Sequence, residues 1–269
     1  MVSVNYNKKW WGQDYDWSEA GDEWSRPWGG PEAQWYGSLY PRIHRFLPTG
    51  QVLEIACGHG RWTHFLKDQC EGLTGVDLSD KCVDACRERF ASSSNVRFLT
   101  NDGTTVPEIA DASIDFIFSF DSLVHADRET IAAYLTEFRR VLKSEGVAFI
   151  HHSNLGGSSF LSRQFRKIPK VGGALRKLRV LDQQNGRDFG VSAEFVASSA
   201  ESAGLRCIGQ EIIPWTTRHT LLDCISVIVP EESPAPRENR VVRNRQFRRE
   251  PAYVKELASI YGPSHHGDR

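Results

Sequence analysis

The chain of 269 residues has the length of one large domain, and its 40% hydrophobic residues and 22 glycines are ordinary for a globular protein, which excludes collagen, a coiled coil and global disorder. Its 33 Lys and Arg residues balance 34 Asp and Glu residues, so the net charge of −1 gives no reason to expect a nucleic-acid partner. No apolar run approaches the roughly 20 residues of a membrane span, and the N-terminus lacks the apolar core of a signal peptide. The sequence therefore predicts a cytoplasmic protein without a membrane partner.

The N-terminal segment, residues 1–48, is predicted as a separate helical or capping unit. Apolar residues at helical spacing occupy 39–47, and Pro48 and Gly50 end that pattern. The segment is unusual because it holds six of the eight tryptophans: Trp10, Trp11, Trp17, Trp24, Trp28 and Trp35.

Residues 49–154 alternate short apolar runs with amphipathic stretches. Strands are predicted at 51–57, 73–78, 96–102, 114–123 and 146–154. Ser79 is placed to cap the helix that follows the second strand, and a second helix is predicted at 129–143. Strands that alternate with helices imply right-handed crossovers and a parallel sheet covered on both faces. The predicted fold class is α/β, doubly wound, with a mostly parallel seven-stranded sheet.

The remaining sequence divides into three regions. Residues 155–190 form a basic insertion, predicted as a lid over a ligand site, although a solvated helix face explains the charges equally well. Residues 191–230 carry a helix and two strands that complete the sheet. Residues 231–269 are predicted as a linker and a basic tail. The six cysteines show no CxxC pair and are expected to be reduced core residues.

A glycine turn follows the first predicted strand. Gly58 and Gly60 permit a tight turn and close approach of the backbone to a ligand, before the next helix begins. Asp77 ends the second strand, where a carboxylate can accept hydrogen bonds from both hydroxyls of a ribose. This pairing predicts a cofactor that contains a nucleoside.

Two residues discriminate between nucleoside cofactors. A nicotinamide site uses a third glycine near its pyrophosphate, and Thr63 stands at that position. Glu54 lies in the strand before the turn, where a carboxylate favours a cationic ligand and opposes a pyrophosphate. Both residues favour S-adenosylmethionine, with S-adenosylhomocysteine as product.

Five ordered motifs resemble those of class I S-adenosylmethionine-dependent methyltransferases. They are LEIACGHG (53–60), GVDLS (75–79), NDGT (101–104), DFIFSFDSLVH (115–125) and FRRVLKSEGVAFI (138–150). The closer resemblance is to O-methyltransferases of sugars and other small molecules. The family resemblance implies a Rossmann-like core at 49–154, with Gly58 and Gly60 under the methionine part of the cofactor, Asp77 on the ribose, Asp102 with Gly103 at the adenine, and Phe120 or Asp121 lining the cofactor. The further predicted cofactor contacts are Trp11, Glu54, Ala56, Trp62 and Leu78.

Two sites at strand ends offer histidines as a general base. Transfer of a methyl group to an alcohol requires loss of the hydroxyl proton, and imidazole is a suitable acceptor. His125 and His152 are the candidate bases, and Asp121 is expected to orient the histidine or bind acceptor hydroxyls. These three side chains could also bind a divalent metal, but such ions prefer several carboxylates, and no metal is predicted.

The sequence predicts O-methylation of a small acceptor, namely a sugar or a glycosylated natural product. N-methylation of a small amine is an alternative, and methylation of RNA is a weaker one because the chain lacks a recognisable RNA-binding appendage. A homodimer is left open. The tryptophan-rich segment is expected either to cover the mouth of the site or only to pin itself to the sheet. Trp10, Trp11, Trp28 and Trp35 are the predicted ligand contacts in that segment.

Overall fold

The computed structural model describes residues 3–157, 186–215, 220–258 and 260. Most of the predicted basic insertion, residues 158–185, lies outside the described residues, so its predicted role as a lid stays a prediction.

The described chain is organised around one eight-stranded sheet with strand order β3-β2-β1-β4-β5-β7-β6-β8. This order confirms the α/β, doubly wound class. The strands are β1 (Thr49–Ile55), β2 (Cys70–Asp77), β3 (Val96–Thr100), β4 (Ile114–Ser119), β5 (Leu142–Ser153), β6 (Leu205–Ile213), β7 (Asp223–Pro230) and β8 (Arg240–Arg243).

The first five strands in the chain run parallel to one another, as right-handed crossover connections require. Strands β3, β2, β1, β4 and β5 run parallel, so the carboxyl ends of β1, β2 and β4 lie at one edge. Strand β7 runs antiparallel between β5 and β6. The eighth strand was not predicted: β8 pairs parallel to β6, within the region expected to be linker and tail.

The described α-helices are short around the N-terminus and longer in the crossovers. They are α1 (Val4–Lys9), α2 (Pro31–Gln34), α3 (Tyr40–Ile43), α4 (Thr63–Leu66), α5 (Asp80–Arg89), α6 (Arg128–Val141), α7 (Ala193–Ser202) and α8 (Glu250–Ala258). The Ser79 hydroxyl accepts a hydrogen bond from the Cys82 N–H at 3.4 Å, so the predicted cap of α5 is confirmed. Strand β5 begins at Leu142, inside the predicted helix 129–143, and α6 ends there.

Each face of the sheet carries its own apolar core. Helices α6 and α7 cover one face, where Leu135, Phe138 and Val196 are buried. The N-terminal segment covers the other face, where Trp35 packs on Phe65 with ring centroids 5.1 Å apart. Trp35 is only 2% exposed and lies in this core, where ring packing accounts for its burial, so its predicted role as a ligand contact stays a prediction.

The described cysteines are all free thiols, five of them buried. None of the described helices combines the length and the apolar character needed to cross a membrane.

Candidate active site

A cavity of about 710 Å³ opens where β1, β2 and β4 end. Its floor is formed by the loops that follow these strands, including Gly58, Leu78 and Asp121. Its walls come from the N-terminal segment, from Trp215 after β6 and from Arg248 in the C-terminal region. The volume lies in the range of roughly 300–1,000 Å³ that is common for small-molecule sites.

Three alternate residues in the turn after β1 have an unusual backbone conformation. Ala56, Gly58 and Gly60 have φ values of 56°, 56° and 79°, in the left-handed region that favours glycine. Ala56 and Gly58 line the cavity, whereas Gly60 packs against Phe90. Gly60 thus permits close packing of the turn on α5, and the other two positions face the ligand space.

Asp77 is buried beside this turn and fixed by main-chain donors. The Gly58 N–H donates to its Oδ2 atom and the Ser79 N–H to its Oδ1 atom, each at 2.9 Å. Burial raises the pKa of Asp77, and the backbone donors of Gly58, Ser79 and Leu78 oppose that shift. The carboxylate is therefore held in one orientation at the cavity wall.

Glu54 does not line the cavity with Asp77. It is 2% exposed, and the Thr63 hydroxyl donates to its Oε2 atom at 2.5 Å. Burial raises the pKa of Glu54 to about 8, although the Thr63 hydrogen bond and the charge of Arg61 oppose the shift. The hydrogen bond from Thr63 ties Glu54 to α4 beneath the turn. Glu54 does not line the cavity, so the structure gives no support for its predicted contact with a cationic ligand.

The loop after β3 separates two residues that the family resemblance had placed together. Gly103 lines the cavity, but Asp102 does not. The Asp102 carboxylate accepts hydrogen bonds from the N–H groups of Thr104 (2.7 Å) and Thr105 (2.6 Å). Burial acts to raise the pKa of Asp102, and the bonds from Thr105 and Thr104 outweigh it and lower the pKa. Asp102 thus shapes the loop that presents Gly103.

Asp121 follows β4 in a strained conformation. Its φ of 66° is uncommon for a residue other than glycine and typically costs about 1–3 kcal/mol. An ion pair of 2.9 Å joins Asp121 Oδ2 to the guanidinium of Arg61, which also donates to the Ser25 hydroxyl at 3.1 Å. Both Asp121 and Phe120 line the cavity, so they lie where their predicted roles would require.

The two candidate bases lie in different environments. His125 lines the cavity, and burial with the nearby charge of Arg187 lowers its pKa to about 4. His152 is fully buried, and its ring nitrogens face the Ser153 carbonyl at 2.9 Å and the Ser226 hydroxyl at 2.8 Å. His152 is therefore not positioned as a base, because its side chain points into the sheet packing and not into the cavity.

His151 is a polar residue beneath the cavity that the sequence did not single out as a base. Its Nδ1 atom accepts a hydrogen bond from the Asp121 N–H at 3.1 Å, and its ring stacks on Phe120 at 4.5 Å. Its Nε2 atom lies 3.4 Å from Asp223, whose carboxylate binds Arg187 at 2.6 and 2.7 Å. The two adjacent histidines in the sequence indicated a polar group at this strand end. Only the side-chain directions in the structure show that His151 is the one that contacts Asp121 beneath the cavity.

The N-terminal segment forms the roof of the cavity through its aromatic rings. Trp17 stacks on His59 with centroids 4.4 Å apart, and a Cβ atom at Gly58 would lie 3.1 Å from the Trp17 ring. Trp11 lies 5.1 Å from the His125 ring, and Trp10 and Trp28 also line the cavity. Of the four tryptophans predicted as ligand contacts, only Trp35 lies elsewhere.

The chemistry of the turn fits S-adenosylmethionine. The carboxylate of Asp77, which the resemblance assigns to the ribose, is fixed by the Gly58 N–H beside the turn. Leu78 and Gly103 line the adjoining part of the cavity, where the resemblance places the adenine. Trp62 and Phe120 line the next part, with centroids 5.8 Å apart. Among the described residues, no three His, Cys, Asp or Glu side chains converge on a position that could hold a metal ion.

Comparison with known proteins agrees with this geometry. Residues 52–146 match the family model described as a methyltransferase domain. A demethylmenaquinone methyltransferase from Staphylococcus aureus is 30% identical over 100 residues, which cover 36% of this chain and 40% of that protein. The matched stretch thus spans about two fifths of the length of this relative.

Two solved structures share the fold. A protein from Pyrococcus horikoshii has a TM-score of 0.53 at 22% identity and covers 74% of this chain and 90% of its own. An S-adenosylmethionine-dependent methyltransferase from Methanosarcina mazei has a TM-score of 0.53 at 18% identity and covers 72% of this chain and 98% of its own. Over residues 52–146 the chain is thus similar to a methyltransferase domain, which supports the predicted resemblance to class I S-adenosylmethionine-dependent methyltransferases and the predicted cofactor, S-adenosylmethionine.

Proposed function

We propose that this protein transfers a methyl group from S-adenosylmethionine to a hydroxyl of a small acceptor held in the cavity. One observation supports this proposal above the others. A single cavity of about 710 Å³ is lined by Gly58 and Asp77, by the indoles of Trp28 and Trp215, and by His125. Cofactor and acceptor can thus share one space, which favours direct transfer.

S-adenosylmethionine, held by the residues around Gly58 and Asp77, would supply a methyl group whose bond to the positively charged sulfur is replaced by a bond to the acceptor oxygen, with the bonding electron pair left on sulfur. The hydroxyl proton must leave at the same time. The rings of Trp11 and Trp17 cover this part of the cavity and exclude water from the reacting groups.

His125 is the proposed acceptor of that proton. Its lowered pKa, about 4, keeps the imidazole neutral at neutral pH, so a nitrogen lone pair is available. The charge of Asp121 acts in the opposite direction and would stabilise the imidazolium that forms. Asp121 itself is held by Arg61, which supports its predicted role as an orienting residue.

The acceptor class predicted from the sequence is a sugar or a glycosylated natural product, and a methyl-transfer screen that includes glycosides tests it. The named relative from Staphylococcus aureus is a methyltransferase of demethylmenaquinone, which supports a small molecule in general. N-methylation is the alternative for the same cavity. An RNA substrate receives less support, because the enclosing aromatic roof leaves room for a small acceptor and not for a folded RNA.

A methyl-transfer screen with labelled S-adenosylmethionine tests the function, with glycosides, phenols and amines as acceptors and NMR of the product to locate the methyl group. We expect an O-methyl product, and we expect His125→Ala to lower kcat by at least about 100-fold while the Kd for the cofactor changes less than about 3-fold. His152→Ala is the matched control, since it removes a buried histidine outside the cavity and should retain kcat. An N-methyl product, or an unchanged kcat in His125→Ala, would contradict the respective part of the proposal.

A further inference from the structure

We propose that Asp223 is a positioning residue of the reaction. Through His151 it holds the backbone of Asp121, and through Arg187 it holds the segment that contacts the base, His125. The inference rests on the proposed function, because it concerns the base and the carboxylate of that reaction. Asp223 begins β7, outside the methyltransferase domain match at 52–146, and the sequence did not single it out.

Asp223 is a fully buried carboxylate that stays ionised. Its two oxygens accept hydrogen bonds from the guanidinium of Arg187 at 2.6 and 2.7 Å, and it is 0% exposed. Burial acts to raise the pKa of Asp223, but the charge and the hydrogen bonds of Arg187 outweigh it, so the pKa is lowered. A buried charge interacts strongly with its neighbours, because little water screens it. Asp223 can therefore fix the orientation of the donors around it.

The second neighbour of Asp223 is His151, which is also fully buried. The Nε2 atom of His151 lies 3.4 Å from Asp223 Oδ2. On the other side of the ring, Nδ1 accepts a hydrogen bond from the Asp121 N–H at 3.1 Å. Because Nδ1 is an acceptor in this contact, the proton of the neutral ring belongs on Nε2, where it faces the carboxylate. Asp223 thus favours the tautomer of His151 that can hold Asp121.

Asp121 needs such support because its backbone is strained. A φ of 66° is uncommon for a residue with a side chain, and it persists only where neighbouring contacts fix it. His151 supplies the acceptor for the Asp121 N–H, and Arg61 binds the Asp121 carboxylate at 2.9 Å. The charge of Asp121 acts on His125 and opposes the lowering of its pKa. The position of Asp121 therefore affects the base.

The contact of Asp223 with Arg187 leads to the base itself. The residue before Arg187 is Gly186, and a Cβ atom at Gly186 would lie 3.1 Å from His125 Nδ1. Burial and the charge of Arg187 lower the pKa of His125 to about 4, and a hydrogen bond with the Gly186 backbone acts in the opposite direction. The pair of Asp223 and Arg187 thus fixes the backbone segment that lies against the His125 ring.

His151 also contacts the part of the cavity that we propose for the acceptor. Its ring stacks on Phe120 and packs on Trp215, with centroids 4.5 and 4.8 Å apart. Trp28 packs on Trp215 at 4.7 Å, and Phe120, Trp215 and Trp28 all line the cavity. We call the space beside these three rings the acceptor end. The His151 ring therefore joins Asp121 to the aromatic wall of the acceptor end.

Stability alone does not explain a charged group at position 223. Packed apolar residues in place of a buried ion pair are often as stable or more stable, because burial strips the charges of their hydration. The two contacts of Asp223 lead to the two groups of the proposed proton transfer, the imidazole of His125 and the carboxylate of Asp121. Displacement of either group by a fraction of an ångström would slow the reaction.

Substitutions at His151 test its contact with Asp121. His151→Leu offers no acceptor to the Asp121 N–H, and we expect it to lower kcat at least about 10-fold while the Kd for S-adenosylhomocysteine changes less than about 3-fold. His151→Asn places a carbonyl oxygen near the position of Nδ1 and should recover kcat to within about 3-fold of the wild type. His152→Leu is the matched control, because it removes the adjacent buried imidazole, which contacts Ser226, and should keep the wild-type kcat.

Asp223→Asn tests the carboxylate, since it keeps the shape of the side chain and removes its charge. We expect kcat to fall at least about 10-fold, with the Kd for S-adenosylhomocysteine within about 3-fold of the wild type. NMR of the ring nitrogens of labelled histidine should place the proton of His151 on Nε2 in the wild type and show both tautomers in Asp223→Asn. Hydrogen exchange at the Asp121 amide should be slow in the wild type and in His151→Asn and faster in His151→Leu.

Thermal melts with S-adenosylhomocysteine show whether each variant is folded. An unchanged kcat in a folded His151→Leu or Asp223→Asn would overturn the inference and leave the proposed function intact. Equal losses of kcat in His151→Leu and His152→Leu, or a proton on Nδ1 of His151 in the wild type, would also overturn it. If the wild type methylates no hydroxyl acceptor, the proposed function fails, and the tautomer of His151 and the exchange of the Asp121 amide decide the inference.

Discussion

The floor and the roof of the cavity are built by different physical means. The floor is fixed by buried carboxylates with defined partners, as in Asp77 with the N–H groups of Gly58 and Ser79. The roof is fixed by ring packing, as in Trp17 on His59. A buried carboxylate depends on a few strong and directional contacts. Ring packing instead depends on many weak contacts whose loss is partial.

This difference indicates how the floor and the roof should respond to substitutions and to pH. A single substitution in the floor removes a charge or leaves a polar partner unsatisfied, and the cost is large. A single substitution in the roof leaves neighbouring rings, such as Trp11 and Trp24, which lie 6.4 and 5.2 Å from Trp17, to fill part of the gap. The floor should also depend on pH through Glu54, whereas the indole rings of the roof carry no titrating group.

The largest expected effect concerns Glu54 beneath the floor. Burial raises its pKa from 4.5 to about 8, so between these values the folded state keeps a proton that the unfolded state loses. The free energy of unfolding should therefore fall as pH rises through this window, by up to about 5 kcal/mol. Glu54→Gln lacks the titrating group and should lose this dependence. Urea unfolding at pH 5 and at pH 8.5 measures it.

Glu71→Gln is the control for that experiment, because Glu71 is an exposed glutamate on the neighbouring strand. It should keep the pH dependence of the wild type. Identical pH profiles for the wild type and Glu54→Gln would show that stability does not depend on the titration of this buried carboxyl group.

Asp77 provides the next largest effect. Asp77→Ala should weaken binding of S-adenosylmethionine several hundred-fold, because two charge-assisted bonds to the ribose, each about 1.5–3 kcal/mol, are lost. The N–H groups of Gly58 and Ser79 also lose their acceptor. Calorimetry measures the change, with Asp80→Ala as an exposed control at the start of α5. A change below about 5-fold would remove Asp77 from the cofactor site.

The smallest effect is expected in the roof. Trp17→Leu should weaken binding of S-adenosylmethionine by only about 5-fold, since one stacked aromatic pair contributes about 0.5–1.5 kcal/mol. Tyr36→Leu, an exposed aromatic of the same segment, is the matched control. Equilibrium binding at pH 6 and pH 8 should give the same ratio of Kd values for Trp17→Leu and the wild type. A loss as large as that of Asp77→Ala would contradict the distinction between floor and roof.

Local sequence signals were sufficient for most of the floor. The turn around Gly58 and the carboxylate of Asp77 could be predicted because both follow short apolar runs in fixed order. Asp102 shows the limit of such motifs, since its Oδ1 atom accepts from the N–H groups of Thr104 and Thr105 and its Oδ2 atom from the Thr105 hydroxyl, all within the loop. A motif specifies the residue at a position, and competing local donors decide where its side chain points.

The histidines show the same limit. Of the two adjacent histidines in β5, the sequence favoured His152 as a candidate base. In the structure His152 bonds to Ser226 of β7, and His151 lies beneath Phe120 and Trp215. The partner strand β7 decides between the two sides, and its antiparallel position next to β5 is a long-range feature.

The sequence by itself determined the doubly wound core and the cofactor end of the cavity. Strand periodicity, helix caps and a glycine turn are local properties that act within a few residues. Only the tertiary structure decided the acceptor end, where Trp28, Trp215, Phe120 and Arg248 meet from four separate parts of the chain. Their meeting depends on β8 pairing with β6 and on Arg42 binding Glu250. Contacts between residues so distant in sequence leave no local pattern to recognise.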